Sequence, residues 1–318
     1  KIALKEFFQY MYVPCPLSIY ENIYKLEPGC ILEIDEQAPA NPSAKPLHSI
    51  SDKTITFGSI ALKRWYDLKN VVESQTELFK NEAEATDEIE SELKTVINLQ
   101  SISDVPLGAF LSGGVDSSTI VSLMQQENSR PIKTFTIGFE DPNFDESKFA
   151  LEVANHIGTD HSELTVTADD ALEIIPNLPD FYDEPFADSS QIPTYFVCKS
   201  AKQDVTVSLS GDAGDELFGG YNRHITAPLL WNKINWLPFY ARRALGSSIS
   251  KIPSSVWDNA NNVAKNFIDS PFTLFGDKIH KTATRLKNVE SIDDLYFSLI
   301  VEPDVDLLVK DKIENATL

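Results

Sequence analysis

Between Leu107 and Leu209, short apolar runs alternate with stretches whose apolar residues recur every three or four positions. Leu107–Leu111, Ile132–Phe139, Ser162–Val166 and Val205–Leu209 read as buried strands, and Ser117–Gln126, Asp145–His156, Ala168–Leu178 and Ile192–Lys202 as helices, the second closed by Gly158. Short apolar strands separated by helices of about ten residues mean βαβ units, hence a parallel sheet with helices on both faces. The predicted fold class is α/β. Ligands of such sheets bind at the carboxyl ends of the strands, so functional residues are expected just after Leu111, Phe139 and Leu209.

The flanks differ in texture. Asn81–Glu92 is acidic and runs into Ile89, Leu93, Val96, Ile97 and Leu99, whose spacing predicts one apolar helical face. Thr86 is the expected N-cap, and the charge run reads as a solvated face whose acids suit the helix dipole. Within residues 1–68, Lys5–Tyr12 predicts a short helix. Pro14, Pro16, Pro28 and Gly29 then punctuate apolar stretches such as Cys30–Ile34, as in hairpins. Asp35–Ser59, rich in Pro, Ala, Ser, Asn and Lys, is expected to be an exposed loop between strands. From Pro228 to Leu318 the chain is helical and aromatic; Trp231, Trp236, Phe239, Tyr240, Trp257, Phe267, Phe272, Phe275, Tyr296 and Phe297 are expected to pack helices together rather than to cage a ligand. No internal repeat is visible.

Composition narrows the function classes. The chain has 318 residues, 27 basic against 48 acidic, for a net charge of −21. That field repels a nucleic-acid backbone, so non-specific nucleic-acid binding is not expected. It does not exclude ATP, because backbone amides and Mg²⁺ bind phosphate locally whatever the total charge. Cys15, Cys30 and Cys198 are too few and scattered for a disulfide framework and show no metal spacing, which points to a reducing, cytoplasmic setting. No apolar run approaches the ~18 residues of a membrane span, and the start lacks a signal-peptide core. The first residue is Lys1, without an initiator Met, and the chain reads as a piece of something longer.

Two motifs carry chemistry. Ser112-Gly113-Gly114-Val115-Asp116-Ser117-Ser118 lies where a strand gives way to a helix. Its glycines let the backbone turn tightly and approach an anion, while hydroxyls and the first helical amides supply donors. It lacks the Gly-Lys-Ser/Thr ending of a Walker A loop and the Gly-x-Gly-x-x-Gly of a dinucleotide fingerprint. Asp116, in the middle of a phosphate-binding turn, calls for a bridging cation such as Mg²⁺. The second motif, Ser210-Gly211-Asp212-Ala213-Gly214-Asp215-Glu216-Leu217-Phe218-Gly219-Gly220-Tyr221, follows the strand ending at Leu209. Three acids within five residues there favour a metal site or acid/base work. If the two loops lie side by side, Asp116 and Asp215 can hold Mg²⁺ between them. His156, His161 and His224 are isolated and read as surface or capping residues. Asp188-Ser189-Ser190 either caps the following helix or faces a substrate.

Ser112–Ser118 resembles the PP-loop of the N-type ATP pyrophosphatases. Together with Phe135–Phe139, Asp183–Ser190 and Ser210–Tyr221, in that order over roughly residues 85–225, it makes the chain similar to the synthetase domain of glutamine-dependent asparagine synthetases. Glu27-Pro28-Gly29 and Trp65-Tyr66-Asp67-Leu68 resemble the tail of that family's amino-terminal glutaminase domain. The resemblance implies residues 1–68 as the end of a glutaminase domain with linker, and 69–318 as an ATP-pyrophosphatase domain lacking its last part. It implies an enzyme that adenylates a carboxylate with ATP, releases pyrophosphate and lets ammonia displace AMP to give an amide. The backbone of Leu111, Ile137, Ser210 and Gly211 would then surround the adenosine. Ser112, Gly113, Gly114, Asp116, Ser117 and Ser118 would hold the phosphates, and Asp116 and Asp215 the Mg²⁺. Asp188, Ser189 and Glu216 are candidate contacts to the acceptor. The implied partners are a small-molecule carboxylate and ammonia from a glutaminase domain in the same full-length chain, with a homodimer left open and no nucleic acid or membrane.

Departures from the family pattern matter. Asp212 stands where bacterial asparagine synthetases carry the Glu assigned to activating the nitrogen nucleophile, and Ala213 stands where they carry Gly. Many polysaccharide-cluster homologues share the Asp, so a sugar uronate or another carboxylate is the alternative acceptor to aspartate. No cysteine is placed to be the glutaminase nucleophile, and the family's carboxy-terminal Arg-containing motif and following lysine are missing. The 318-residue piece is therefore expected neither to hydrolyse glutamine nor to make an amide at a useful rate in isolation. A non-catalytic PP-loop module is the reading from another class, and intact Asp116 and Asp215 argue against it. A tRNA-modifying PP-loop enzyme would need a basic face that the charge does not offer.

Overall fold

The computed structural model describes residues 1–36, 53–57, 59–74, 79–142, 145–264 and 275–301. It divides into two compact units, Lys1–Gly214 and Asp215–Leu318. The first begins with α1 (Ile2–Tyr10) and an antiparallel sheet of β1 (Cys30–Ile34), β2 (Thr54–Phe57) and β3 (Ile60–Arg64), ordered β1-β3-β2. Cys30 pairs with Arg64, Ile34 with Ile60, and Thr54 with Lys63, so the Pro/Gly-punctuated stretches do form paired strands. Much of the loop expected over Asp35–Ser59, residues 37–52 and 58, lies outside the described residues, as do Phe267 and Phe272.

After α2 (Leu68–Ser74) comes α3 (Glu82–Gln100). Its N-cap is Asn81, whose side chain accepts from the Glu84 amide at 2.9 Å, and not Thr86. Thr86 lies inside the first turns and gives its hydroxyl hydrogen to the Glu82 carbonyl at 2.8 Å. Of the predicted apolar face, Leu93 and Ile97 pack into the core, while Ile89, Val96 and Leu99 are exposed.

The second sheet is parallel, four strands in the order β6-β5-β4-β7: β4 (Leu107–Phe110), β5 (Lys133–Phe139), β6 (Asp160–Val166) and β7 (Val207–Leu209). Register places Gly108 beside Lys133 and Ser208, and Ile137 beside Leu164. α4 (Val115–Gln126) and α5 (Ser147–Ile157) connect the first three strands. Gly158 ends α5 in the left-handed conformation, φ +84°, which a glycine reaches without Cβ strain. One core gathers Ile97, Ala109, Leu111, Val121, Met124, Ala150 and Ala154 beneath α3, α4 and α5. On the opposite face α8 (Gln191–Ala201) covers Phe135 and Ile137 through Val197, Ala201, Ile192 and Phe196. Both faces are thus covered, and the α/β expectation holds.

Two further differences from the sequence reading have a local physical cause. The helix expected over Ala168–Leu178 is α6 (Ala168–Ile174), a 3₁₀ turn over Ile175–Asn177 and α7 (Leu178–Phe181). Pro176 and Pro179 remove the amides a continuous helix would need. Strand β7 begins two residues late because the Val205 amide bonds back to Ala201 at the end of α8.

The second unit, which α9 (Gly214–Phe218) leads into, contains α10 (Asn222–Ile234), α11 (Phe239–Ser250), α12 (Ser254–Ala264), α13 (Phe275–Asn288) and α14 (Ile292–Ile300). Its centre holds a buried arginine. Arg242 donates to the Leu237 and Val289 carbonyls at 3.1 and 2.8 Å and lies over the Trp231 and Phe239 rings. Trp231 and Phe239 therefore serve packing as expected, whereas Trp236 and Tyr240 are 75% and 82% exposed. Among the described residues, no helix is long and apolar enough to cross a membrane.

Candidate nucleotide and acceptor site

The strand order sets the site. The chain moves outward from β4 to β5 to β6 and then returns to place β7 on the other side of β4. The crevice of such a sheet opens where that direction reverses, at the carboxyl ends of β4 and β7. Both motifs start there: Leu111–Gly114 follows β4, and Ser210–Gly214 follows β7.

The two loops are in contact. A methyl group built on Gly211 would lie 2.7 Å from the Ser117 amide nitrogen and 2.9 Å from the Asp116 carbonyl carbon. One built on Gly214 would lie 2.5 Å from the Asp116 carboxyl carbon. Only glycine lets the backbone after β7 run over the first turn of α4. Gly114 is the N-cap of α4, whose first residue, Val115, lies two residues ahead of the predicted helix start, so Asp116 and Ser117 belong to the first turn. The Ser112 and Ser117 hydroxyls are 3.0 Å apart, and Ser112 Oγ accepts the Gly114 amide at 3.3 Å. Gly113 turns with φ +81°, and a Cβ added to it would meet the Ala150 amide nitrogen at 2.6 Å and the Phe149 carbonyl carbon at 2.7 Å near the start of α5. Ser118 is the exception within this turn: its hydroxyl is buried with no hydrogen-bond partner.

Leu111 is buried and its amide bonds the Phe135 carbonyl at 2.9 Å; Ile137 lies near the carboxyl end of β5. Leu111, Ser112, Gly113, Gly114, Asp116, Ser117, Ser118, Ile137, Ser210, Gly211 and Asp212 thus gather at one edge of the parallel sheet. Asp212 is exposed, and its carboxylate accepts the Ser210 hydroxyl at 3.0 Å. Ala213 has φ +73°, a left-handed backbone in which a side chain other than hydrogen is strained by about 1 kcal/mol.

Asp215 and Glu216 belong to the second unit. The Glu216 carboxylate accepts the Tyr221 hydroxyl at 2.6 Å, which holds the carboxyl below its ordinary range and pushes the phenol above its own. Arg223 stacks on the Tyr221 ring, 3.8 Å from its centroid. His224 stacks on Tyr296. His161 accepts or donates at Thr134 Oγ1 through Nδ1, 2.9 Å away, and burial keeps its imidazole below the usual range.

Asp188 and Ser189 are exposed on the loop before α8. That helix packs its first residues on Phe139 and Val166 and its last on Phe110 and Phe135. Its amino end therefore lies towards the carboxyl edge of the sheet, as do the motif loops. Asp188 Oδ1 accepts the Ser190 amide at 2.8 Å, a turn just ahead of the helix, while Ser190 at the N-cap makes no side-chain cap bond.

The donors of this turn, the Ser112 and Ser117 hydroxyls and the first amides of α4, are a set that fits a phosphate group. Among the described residues no three His, Cys, Asp or Glu side chains converge on a metal.

Residues 88–299 match the family model described as asparagine synthase. The chain belongs to the asparagine synthase family. It is 36% identical over 222 residues to asparagine synthetase [glutamine-hydrolyzing] 1 of Bacillus subtilis, covering 70% of this chain and 31% of that protein. It is 28% identical over 198 residues to asparagine synthetase [glutamine-hydrolyzing] 3 of the same organism, covering 56% and 30%. The chain thus spans about a third of the length of these relatives. An NH3-dependent NAD synthetase from Campylobacter jejuni aligns structurally over 64% of this chain and 97% of its own, at 11% identity and a TM-score of 0.28. The fold assignment rests on the strand order and pairing above. In this member of the asparagine synthase family the loops of both motifs meet at the sheet edge.

One set of contacts had no signal in the sequence. Glu184 accepts the Ile19 amide at 3.0 Å and pairs with Lys25, more than 150 residues away in the chain. Local patterning carries no information about partners so far apart.

Proposed function

We propose that the chain is the ATP-cleaving part of an amide-forming ligase that uses glutamine-derived ammonia and takes aspartate as its default acceptor. The observation supporting this is the close approach of Gly211 and Gly214 to the first turn of α4, which leaves a donor-lined turn beside Asp116 at the switch point of the sheet.

In this reading an acceptor carboxylate oxygen attacks the α-phosphorus of ATP and pyrophosphate leaves. Ammonia then attacks the activated carbonyl carbon, AMP leaves, and the ammonium proton goes to a base. Ser112, Ser117 and the amides opening α4 bind the phosphates. The backbone at Leu111, Ile137, Ser210 and Gly211 borders the nucleoside. Asp116 would be a ligand of Mg²⁺, which neutralises phosphate charge when bound. Asp212, exposed and oriented by Ser210, is the base that accepts the nitrogen's proton. In the same reading amino-terminal residues 1–68 are the end of a glutaminase domain with its linker, and that domain would supply the ammonia.

A second acceptor class is supported by a specific feature. Asp212 is one methylene shorter than the family's Glu, and its neighbour Ala213 occupies a left-handed position. A displacement of about 1 Å at a reacting group costs on the order of 10²-fold in rate, so this loop suits a pocket of different depth, such as one for a sugar uronate.

The deciding experiment is carboxylate-dependent exchange of labelled pyrophosphate into ATP by the intact protein, run with aspartate and with a panel of uronates and other acids. Exchange with aspartate alone removes the second class. No exchange with any carboxylate, despite tight MgATP binding, leaves the non-catalytic nucleotide-binding module.

A further inference from the structure

The loop Asp183–Ser190 is held from two sides. Helix α8 holds it locally: the Tyr182 hydroxyl donates to the Gln191 carbonyl at 3.0 Å, and Gln191 Nε2 to the Phe186 carbonyl at 3.2 Å. The other side is the amino-terminal segment 11–25. The Tyr20 hydroxyl donates to the Asp183 carbonyl at 2.6 Å, the Glu184 carboxylate accepts the Ile19 amide at 3.0 Å and pairs with Lys25 Nζ, and the Ala187 amide donates to the Met11 carbonyl at 2.8 Å. The segment is itself folded into a compact piece. Lys25 also donates to the Val13 carbonyl, Val13 is 1% exposed, and the Lys25 amide bonds the Pro16 carbonyl at 2.9 Å. Lys25 is the joint, with one ammonium satisfying a carbonyl of its own segment and the carboxylate of the loop. The pair is partly buried, with side-chain exposures of 31% and 20%, where charge-assisted bonds are stronger than at the open surface.

We propose that Lys25 and Glu184 are a positioning pair through which the amino-terminal segment holds the loop carrying Asp188 and Ser189 in the conformation that receives the acceptor carboxylate. The acceptor part rests on the function proposed above; the tether rests on the contacts alone. The hydrogen bonds and ion pair described for the two residues go to the amino-terminal segment and to each other, not to the phosphate-binding turn, so the pair sets acceptor binding and leaves nucleotide binding alone.

The test compares Lys25→Met, Glu184→Gln and Lys25→Arg with the wild type in the intact protein, by hydrogen exchange of backbone amides and by steady-state kinetics. Lys25→Met and Glu184→Gln should speed exchange at residues 183–190 by about tenfold, the size expected when a partly buried charged hydrogen bond is lost. The KM for the acceptor should rise about tenfold while kcat and the KM for ATP move less than about twofold. Lys25→Arg, which keeps the charge, should restore both readouts. Unchanged exchange at 183–190 overturns the tether. Exchange rising equally throughout α8 and β5 also overturns it, because the pair would then be a general stabiliser. A KM for ATP rising in step with that for the acceptor overturns the positioning role. A wild type that turns over no carboxylate overturns the functional reading and the acceptor part with it, and the exchange data then decide the tether independently.

Discussion

Gly211→Ala tests the juxtaposition on which the proposed nucleotide site depends. The added methyl would meet the Ser117 amide nitrogen at 2.7 Å, the Asp116 carbonyl carbon at 2.9 Å and the Ser117 Cα at 3.0 Å, all backbone atoms of a helix start that cannot rotate aside. Ordinary contact begins near 3.4 Å, so the β7 loop and α4 must part by about 0.7 Å. Overpacking of this kind costs about 1–3 kcal/mol, a fall in Tm of roughly 2–10 °C for a chain of this size. The same displacement moves phosphate donors, and a shift approaching 1 Å is worth up to ~10²-fold in productive binding. Gly158→Ala is the control. Its φ of +84° strains any side chain, but nothing lies within 4 Å and it is at the opposite end of α5 from Gly113's contact. It should lower Tm by a similar few degrees, at ~1 kcal/mol, and leave MgATP affinity unchanged. Calorimetric titration with MgATP and thermal melts of both variants supply the two readouts. Gly211→Ala binding MgATP within about twofold of wild type, at a lowered Tm, would refute the placement of phosphate between these loops.

Ala213→Gly should not destabilise the chain. Removing a strain of about 1 kcal/mol offsets the ~0.5–1 kcal/mol that glycine ordinarily costs through unfolded-state entropy, so a melt showing a clear loss would contradict the left-handed conformation. Tyr221→Phe should raise the Glu216 titration towards the ordinary carboxylate value, read by NMR. Because the folded-state pKa is depressed, the stabilisation from this bond is present above the unfolded Glu value of 4.5 and is lost as pH falls through the lower folded value; the variant should lack that acid-side loss. His161 is also depressed, by burial, so the unfolded chain takes up a proton at its ordinary value of 6.5 before the folded chain does. Stability should therefore be full above that value and decline as pH drops below it, and a denaturation series on His161→Gln should show a shallower decline.

What was legible in the chain follows from distance along it. The alternation from Leu107 to Leu209 showed through because strand and helix periods are local, and Gly158 marked its helix end for the same reason. The cap of α3, Asn81, lies five residues ahead of the expected Thr86. Asn81 precedes a stretch of acids and alanines without apolar period, and a threonine four residues into a helix can satisfy itself on the preceding turn, as Thr86 does on Glu82. Pro176 breaks the next helix although the apolar spacing of Ala168, Ala171, Leu172, Ile175 and Leu178 runs straight past it. At the site, the motif residues were recognisable by type, and their placement after β4, β5 and β7 followed from the general rule for parallel sheets. The contact of Gly211 and Gly214 with Asp116 and Ser117 depends on β7 pairing with β4, which no local pattern encodes. Nor does any pattern announce that Lys25 meets Glu184.

The pairing of β7 with β4 also has a temporal side. Leu107 and Val207 are register partners, yet a ribosome adding roughly 5–20 residues per second needs about 5–20 s to make the chain between them. Throughout that interval β4 can already pair with β5, while its other edge, with Gly108 and Ala109 at its centre, presents unpaired amides and carbonyls to any extended neighbour. The nascent protein is thus open to misassociation on the very edge whose later pairing brings the two motif loops together, and slowing synthesis between residues 140 and 205 should raise the insoluble fraction.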